Sequence, residues 1–197
     1  MKFKNLFLGL LLSGISLVSC TNDPLADLSV EDSQVFITNK DDSTNFKAYK
    51  TYNIADSVSV IQNNVRKGAL TSLDRAMLIQ IAENLERMGY RYVAADSLPD
   101  VGVSLSRIQN TSVSVVSQPS YWGYGGYGYG YPSYYSYYQT SETYWSVAML
   151  DLKHADHVDK KVKVVWNAQI RGGGIGNEQF VKSIVKAVFD QSPYLQL

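Results

Sequence analysis

The chain reads as an α+β fold: an antiparallel sheet with two helices packed on one face and a long Tyr/Gly-rich insertion. Three observations predict it. Alternation of apolar and polar residues marks strands around residues 101–105 and 162–170. Apolar residues at spacings of three and four mark one helix from Thr71 to about Met88 and a second after Asn177. The stretch 119–138 holds glycines and aromatic rings but no aliphatic side chain, so it builds no core of its own.

In chain order, Val35-Phe36-Ile37 is a short strand, and Lys40 to Asn45 is a turn. Phe46 to Tyr52, rich in aromatic and β-branched residues, is a strand, and Val58 to Ile61 is a weaker one. Thr71 or Ser72 caps the first helix, with Asp74 in the first turn where the helix dipole favours negative charge. Leu73, Met77, Ile81, Leu85 and Met88 form its apolar stripe, and Gly89 supplies the stop. Val101, Val103 and Leu105, then Val113 and Val115, alternate with small or polar residues, as one bent strand or a hairpin broken at Asn110. Trp145 to Leu152 is apolar on both sides, which suits a central strand. Val162, Val164, Trp166, Ala168 and Ile170 line one face of the next strand, with Val165 the exception. Arg171 to Gly176 is a flexible turn, Asn177 caps the second helix, and Pro193 follows its end.

The N-terminus carries a secretory pattern. Lys2 and Lys4 supply positive charge, Leu6 to Val18 an apolar run too short to span a bilayer, and Ser19 a small residue before Cys20. Leu17-Val18-Ser19-Cys20 resembles the lipobox of bacterial lipoproteins. The resemblance implies cleavage of residues 1–19 and acylation (palmitate or a similar chain) of Cys20. As the chain's single cysteine, it has no disulfide partner. Several acyl chains on one residue would make the anchor almost permanent. Thr21, where enteric-type sorting uses Asp for inner-membrane retention, points to the outer membrane, with the domain facing the periplasm or the surface. Residues 20–33, polar and acidic, read as a lipidated tether, and 34–197 as a single domain.

Lys and Arg total 18 against 18 acidic residues, and cleavage removes two lysines. A mature chain near −2 has no electrostatic footprint for nucleic acid.

Phe46-x-x-Tyr49-x-Thr51-Tyr52, Gly89-Tyr90, Pro99-Asp100-Val101, Leu150-Asp151-Leu152 and Val164-Val165-Trp166 occur in this order. The set resembles the bacterial lipoprotein family called domain of unknown function 4136, over about residues 35–192. The chain departs from that pattern at Ser146, where a glycine is usual. The resemblance implies an envelope lipoprotein with a small α+β domain, and it brings no catalytic residues.

His154-Ala155-Asp156-His157, with Asp151 and Asp159, is the one metal-like cluster; it lacks a third histidine or a thiol and reads as a solvated turn. The glycines of 171–176 lack the Gly-Lys-Ser/Thr ending of a phosphate loop. Asp100 after Pro99 is a base by chemistry but a turn residue by context. No catalytic constellation, metal site or cofactor is expected. The binding candidates are Tyr121, Trp122, Tyr124, Tyr127, Tyr129, Tyr131, Tyr134, Tyr135, Tyr137 and Tyr138, because tyrosine offers amphipathic contact area at low entropy cost and glycine lets a loop adapt. The alternative is a mobile insertion with some of its tyrosines folded back on the sheet. Ser43, Ser57 and Ser97 sit in Asp-Ser-Thr, Asp-Ser-Val and Asp-Ser-Leu, which resemble acceptors of an envelope O-glycosylation system. The expected role is a non-catalytic binding or assembly module, held to the membrane through Cys20 and meeting an envelope protein or glycan. The alternatives are a structural spacer or complex subunit and, behind these, a hydrolase of envelope polymers.

Overall fold

The computed structural model describes residues 28–62, 65–109, 143–156 and 161–197. Cys20 and the Tyr/Gly tract lie outside them. The strands are β1 (Val35–Lys40), β2 (Thr51–Ile54), β3 (Val58–Gln62), β4 (Val65–Ala69), β5 (Arg91–Tyr92), β6 (Val101–Gln109), β7 (Thr143–Asp156) and β8 (Lys161–Arg171). The helices are α1 (Ser72–Arg87) and α2 (Val181–Asp190). All strands belong to one sheet, ordered β1-β8-β7-β6-β2-β5, with β3 also beside β6 and β4 beside β3. The class is α+β, as the pattern predicts, and the strand with two apolar sides, β7, lies between β6 and β8.

The sheet is mixed rather than purely antiparallel. Antiparallel pairs join β1 to β8, β8 to β7, β7 to β6 and β3 to β4. β2 and β3 instead run parallel to β6, forming successive pieces of one bent neighbour, and β5 runs parallel to β2. The cause is α1. A chain that leaves β3 and returns beside it through a helix arrives pointing the same way. Sequence order shows a helix between strands; which strands it joins as neighbours is a tertiary fact.

Both helices share one core with the same sheet face. Met77, Ile81 and Leu85 of α1 and Ile184, Val185 and Val188 of α2 pack with Val103, Leu105, Trp145, Val147, Trp166 and Ala168. The apolar stripe expected along β8 changes sides part-way. Met149 pairs with Trp166 and Leu150 with Val164, leaving Val165 as an extra residue. This β-bulge puts Val165 and Trp166 in the helix-covered core, while Val162 joins Leu150 and Val164 on the opposite face. The break at Val165 in the alternation is that bulge. The expected strand from Phe46 also begins later. Phe46–Ala48 is a 3-10 turn, because Phe46 and Tyr49 both turn into the core, and β2 starts at Thr51.

Helix α1 begins with a capping box: Thr71 Oγ1 accepts from the Asp74 N–H at 3.2 Å, and Asp74 Oδ2 accepts from the Thr71 N–H at 2.9 Å. Asp74 is fully buried, and its Oδ1 faces Arg107 Nε of β6 at 3.4 Å. The two atoms are not aligned as a hydrogen bond, so the contact is charge attraction. The Arg107 guanidinium also lies 5.6 Å from the Trp145 ring centroid. Gly89 ends the helix region at φ +99°. Asn177 caps a 3-10 turn, Glu178–Phe180, which leads into α2.

Residues 29–33, assigned to the tether by composition, and Gln34 hydrogen-bond among themselves and to the turn after β8. Ser33 N–H donates to Ser29 O and Gln34 N–H to Glu31 O. Ser33 Oγ accepts from the Gly173 N–H at 3.1 Å, and Gln34 Nε2 donates to Gly173 O at 3.2 Å. A Cβ on Gly172 would lie 2.0 Å from Ser33 O, and one on Gly173 2.3 Å from Ser33 Oγ. The glycines therefore admit the incoming chain by close backbone approach.

Asp74→Ala removes a cap and leaves Arg107 without its counter-charge, so it should lower unfolding free energy by roughly 3 kcal/mol. Thr71→Ala, which removes only a cap, should cost about 1 kcal/mol. Chemical denaturation midpoints measure both.

Candidate functional site

The densest set of titratable side chains lies at the sheet end where β2 and β6 start and β7 finishes. Asp100 precedes β6. Its Oδ2 accepts from the Lys50 N–H at 2.7 Å and the Thr51 N–H at 3.0 Å, and Thr51 Oγ1 accepts from the Asp100 N–H at 2.9 Å. Lys153 Nζ stands 3.3 Å from Asp100 Oδ1 and also donates to Ala48 O. The Asp100 carbonyl accepts from the N–H groups of Leu152 and Lys153. This one residue thus ties the start of β2 to β6 and β7.

Asp151, buried on β7, accepts from the His154 N–H at 3.0 Å and faces His154 Nδ1 at 2.9 Å. The Tyr49 hydroxyl lies close to its carboxylate. Burial first, and then the Asp151 charge, push the Tyr49 hydroxyl well above the usual phenol range. The Tyr49 and His154 rings lie 6.4 Å apart. Lys163, the β8 partner of Asp151, makes an ion pair with Asp41 and donates to Ser43 Oγ. Asp41 also accepts from Thr44 Oγ1 at 2.6 Å and from Ser43. The Lys163 ammonium and these hydroxyls hold the Asp41 carboxyl well below the ordinary carboxylate range.

The arrangement is a clasp. The Asp100 and Asp151 oxygens point at backbone, lysine and histidine donors of the same chain, which ties loops to strand ends. Among the described residues no group of three metal ligands occurs, and no serine or threonine hydroxyl hydrogen-bonds to the His154 ring. The Asp151 carboxylate orients the His154 ring. His154 and Asp156, expected in a turn, belong to β7; His157 and Asp159 lie outside the described residues. Asp100 holds a turn to a strand.

Ser43, Ser57 and Ser97 are all exposed. Ser43 is engaged by Asp41 and Lys163, and Ser97 Oγ donates to its neighbour Asp96 at 3.3 Å. The ten aromatic residues of the tract and Cys20 lie outside the described residues. The points where the tract leaves and rejoins the sheet are described: Gln109 ends β6, Thr143 begins β7, and the two are paired. They lie at the end of the sheet opposite the clasp. That same end receives the incoming N-terminal chain, since Val35 pairs with Arg171 and the next residues in register are Phe36, Ile170 and Trp145. Sequence reasoning singled out Asp100 and Asp151 but not their link to Tyr49, Lys153 and Lys163, whose partners are far away along the chain.

A mixed sheet backed by two helices, closed at one end by buried and half-buried carboxylates, defines a small α+β domain. The chain belongs to the family Domain of unknown function (DUF4136), which it matches over residues 37–194. It is similar to a crystal structure of a DUF4136 family protein from Bacteroides thetaiotaomicron, at 27% identity and a TM-score of 0.67, covering 84% of this chain and 98% of that one. A slighter likeness, with 13% identity and a TM-score of 0.42, relates 82% of the chain to 36% of a PDZ domain protein from Parabacteroides distasonis. No curated protein matches significantly.

Partial burial alone would raise the Asp100 carboxyl, but the Lys50 and Thr51 N–H groups and Lys153 outweigh it and lower it. A carboxyl depressed by folding adds stability above its unfolded pKa of about 3.9, and that stability is lost as pH falls through the folded value. Asp100→Asn should cost roughly 2 kcal/mol at neutral pH, and the mutant's stability should fall less steeply than wild type below about pH 4. Denaturant titrations across that range measure it.

Proposed function

We propose that this chain is a lipid-anchored cell-envelope protein of the outer membrane, working as a non-catalytic binding or assembly module. Cys20 carries the anchor, and the Tyr/Gly tract meets an envelope protein or glycan. The observation that carries this reading is the placement of two roots on one end of the sheet. The chain that follows Cys20 enters β1 there, and the tract leaves β6 and rejoins β7 there. The described roots of the two segments thus lie at one end, and the clasp lies at the other. The saturated carboxylates of the clasp favour scaffolding over hydrolysis, because a general base needs an acceptor turned toward its substrate. Exposure of Ser43, Ser57 and Ser97 leaves them open to glycan transfer.

Replacing Cys20 with Ser should release the protein from the membrane fraction on cell lysis. Removing residues 121–138 should leave the melting temperature nearly unchanged and abolish crosslinks to envelope partners in intact cells. A large loss of stability would instead make the tract part of the core. Intact mass of the mature protein should show added hexose that disappears when Ser43, Ser57 and Ser97 are changed to Ala.

A further inference from the structure

Nine large apolar side chains are exposed among the described residues, and four of them, Leu28, Val30, Val35 and Ile37, fall within ten residues of chain. Val30 and Val35 lie at one corner of the domain, where the turn after β8 meets the start of β1. Val35 and Ile37 lie on the same face of β1, which borders the sheet. The Val30 side chain lies over Gly173 and Gly174, in the turn that directly follows the β8 partner of Val35. The corner is held in place. The Ser33 and Gln34 bonds to Gly173 fix residues 29–34, and Ser29 Oγ binds the Asp32 carboxylate and its N–H. A built turn that presents aliphatic side chains outward differs from an idle tether, which would leave them free to fold away.

We infer that this corner is the surface the domain lays against the bilayer, with Leu28, Val30 and Val35 among phospholipid headgroups and upper acyl chains. The inference rests on the reading of Cys20 as the lipid anchor. Only residues 21–27 separate Cys20 from Leu28. Eight Cα steps reach at most about 28 Å fully extended and average about 15 Å if flexible. The first described residues therefore sit next to the lipid, and half-exposed aliphatic groups so placed are drawn into the apolar interface. Glu31 and Asp32 flank the patch, which disfavours anionic headgroups; the contact is with zwitterionic phospholipid and is apolar in origin.

The test uses the full acylated protein on phosphatidylethanolamine–phosphatidylcholine vesicles. Acylation blocks the Cys20 thiol, so a solvent-sensitive fluorophore can be placed singly through Val30→Cys, Val35→Cys or Leu98→Cys. Leu98, 88% exposed, lies at the clasp end. The probes at 30 and 35 should shift to the blue and be quenched by brominated lipids, unchanged between low and high salt, while the probe at 98 stays solvent-like. If all three stay solvent-like while the protein still sediments with vesicles, the corner does not touch lipid and the inference is wrong, with the anchor intact. If the probes at 30 and 35 become buried without vesicles as protein concentration rises, the occupant is a second copy pairing along β1, which also overturns it. If Cys20→Ser protein sediments as well as the acylated form, the anchor reading falls and takes this inference with it.

Discussion

The parallel pairing of β3 with β6 depends on α1 crossing over the sheet at a fixed place, and Asp74 fixes that place. A fully buried carboxylate is costly unless its charge is met. Here it is met twice, by the Thr71 N–H that it caps and by Arg107 of β6 at 3.4 Å. The helix start is thereby tied to one strand rather than only laid on an apolar surface. From that point Met77, Ile81 and Leu85 fall onto the sheet at helical spacing, and the space left beside α1 is filled by α2. Apolar packing alone tolerates sliding of a helix along a sheet; a buried charge pair does not.

The residues that carry the family resemblance turn out to touch one another. Thr51 and Asp100 hold β2 against β6. The Lys153 Nζ bond to Ala48 O brings the 3-10 turn onto β7. Val165 is the bulge residue, and Trp166 Nε1 donates to the buried Ser192 Oγ at 3.0 Å near the C-terminus. Polar motifs of this sort invite a catalytic reading, yet here their lone pairs and N–H groups are used to join segments distant in sequence. The carboxylates of the clasp thus work as ties between strands at one end of the sheet.

That polarity along the strands gives the domain a direction. The incoming chain, the glycine turn that seats it, and the roots of the Tyr/Gly tract share one end, whereas the carboxylate clasp and the C-terminal turn share the other. Gly172 and Gly173 matter because Ser33 passes where a Cβ would be. A run of glycines that reads as a loose turn is in fact a tight backbone contact.

The helix α1, its cap and its stop were legible in the residues, because spacing, capping and a terminal glycine are local properties. So was the central position of β7, which needs apolar residues on both sides only if it is covered on both. The sequence by itself also showed a single thiol, at Cys20. The parallel neighbours of β6, the switch of faces at Val165, and the network around Asp100 and Asp151 were decided only by the tertiary structure. The parallel neighbours and the carboxylate network depend on contacts between residues some fifty to a hundred positions apart, such as Thr51 with Asp100 and Ala48 with Lys153, while the bulge depends on the register between β7 and β8. Periodicity reports which face of an element is apolar; it carries no information about which distant element arrives there.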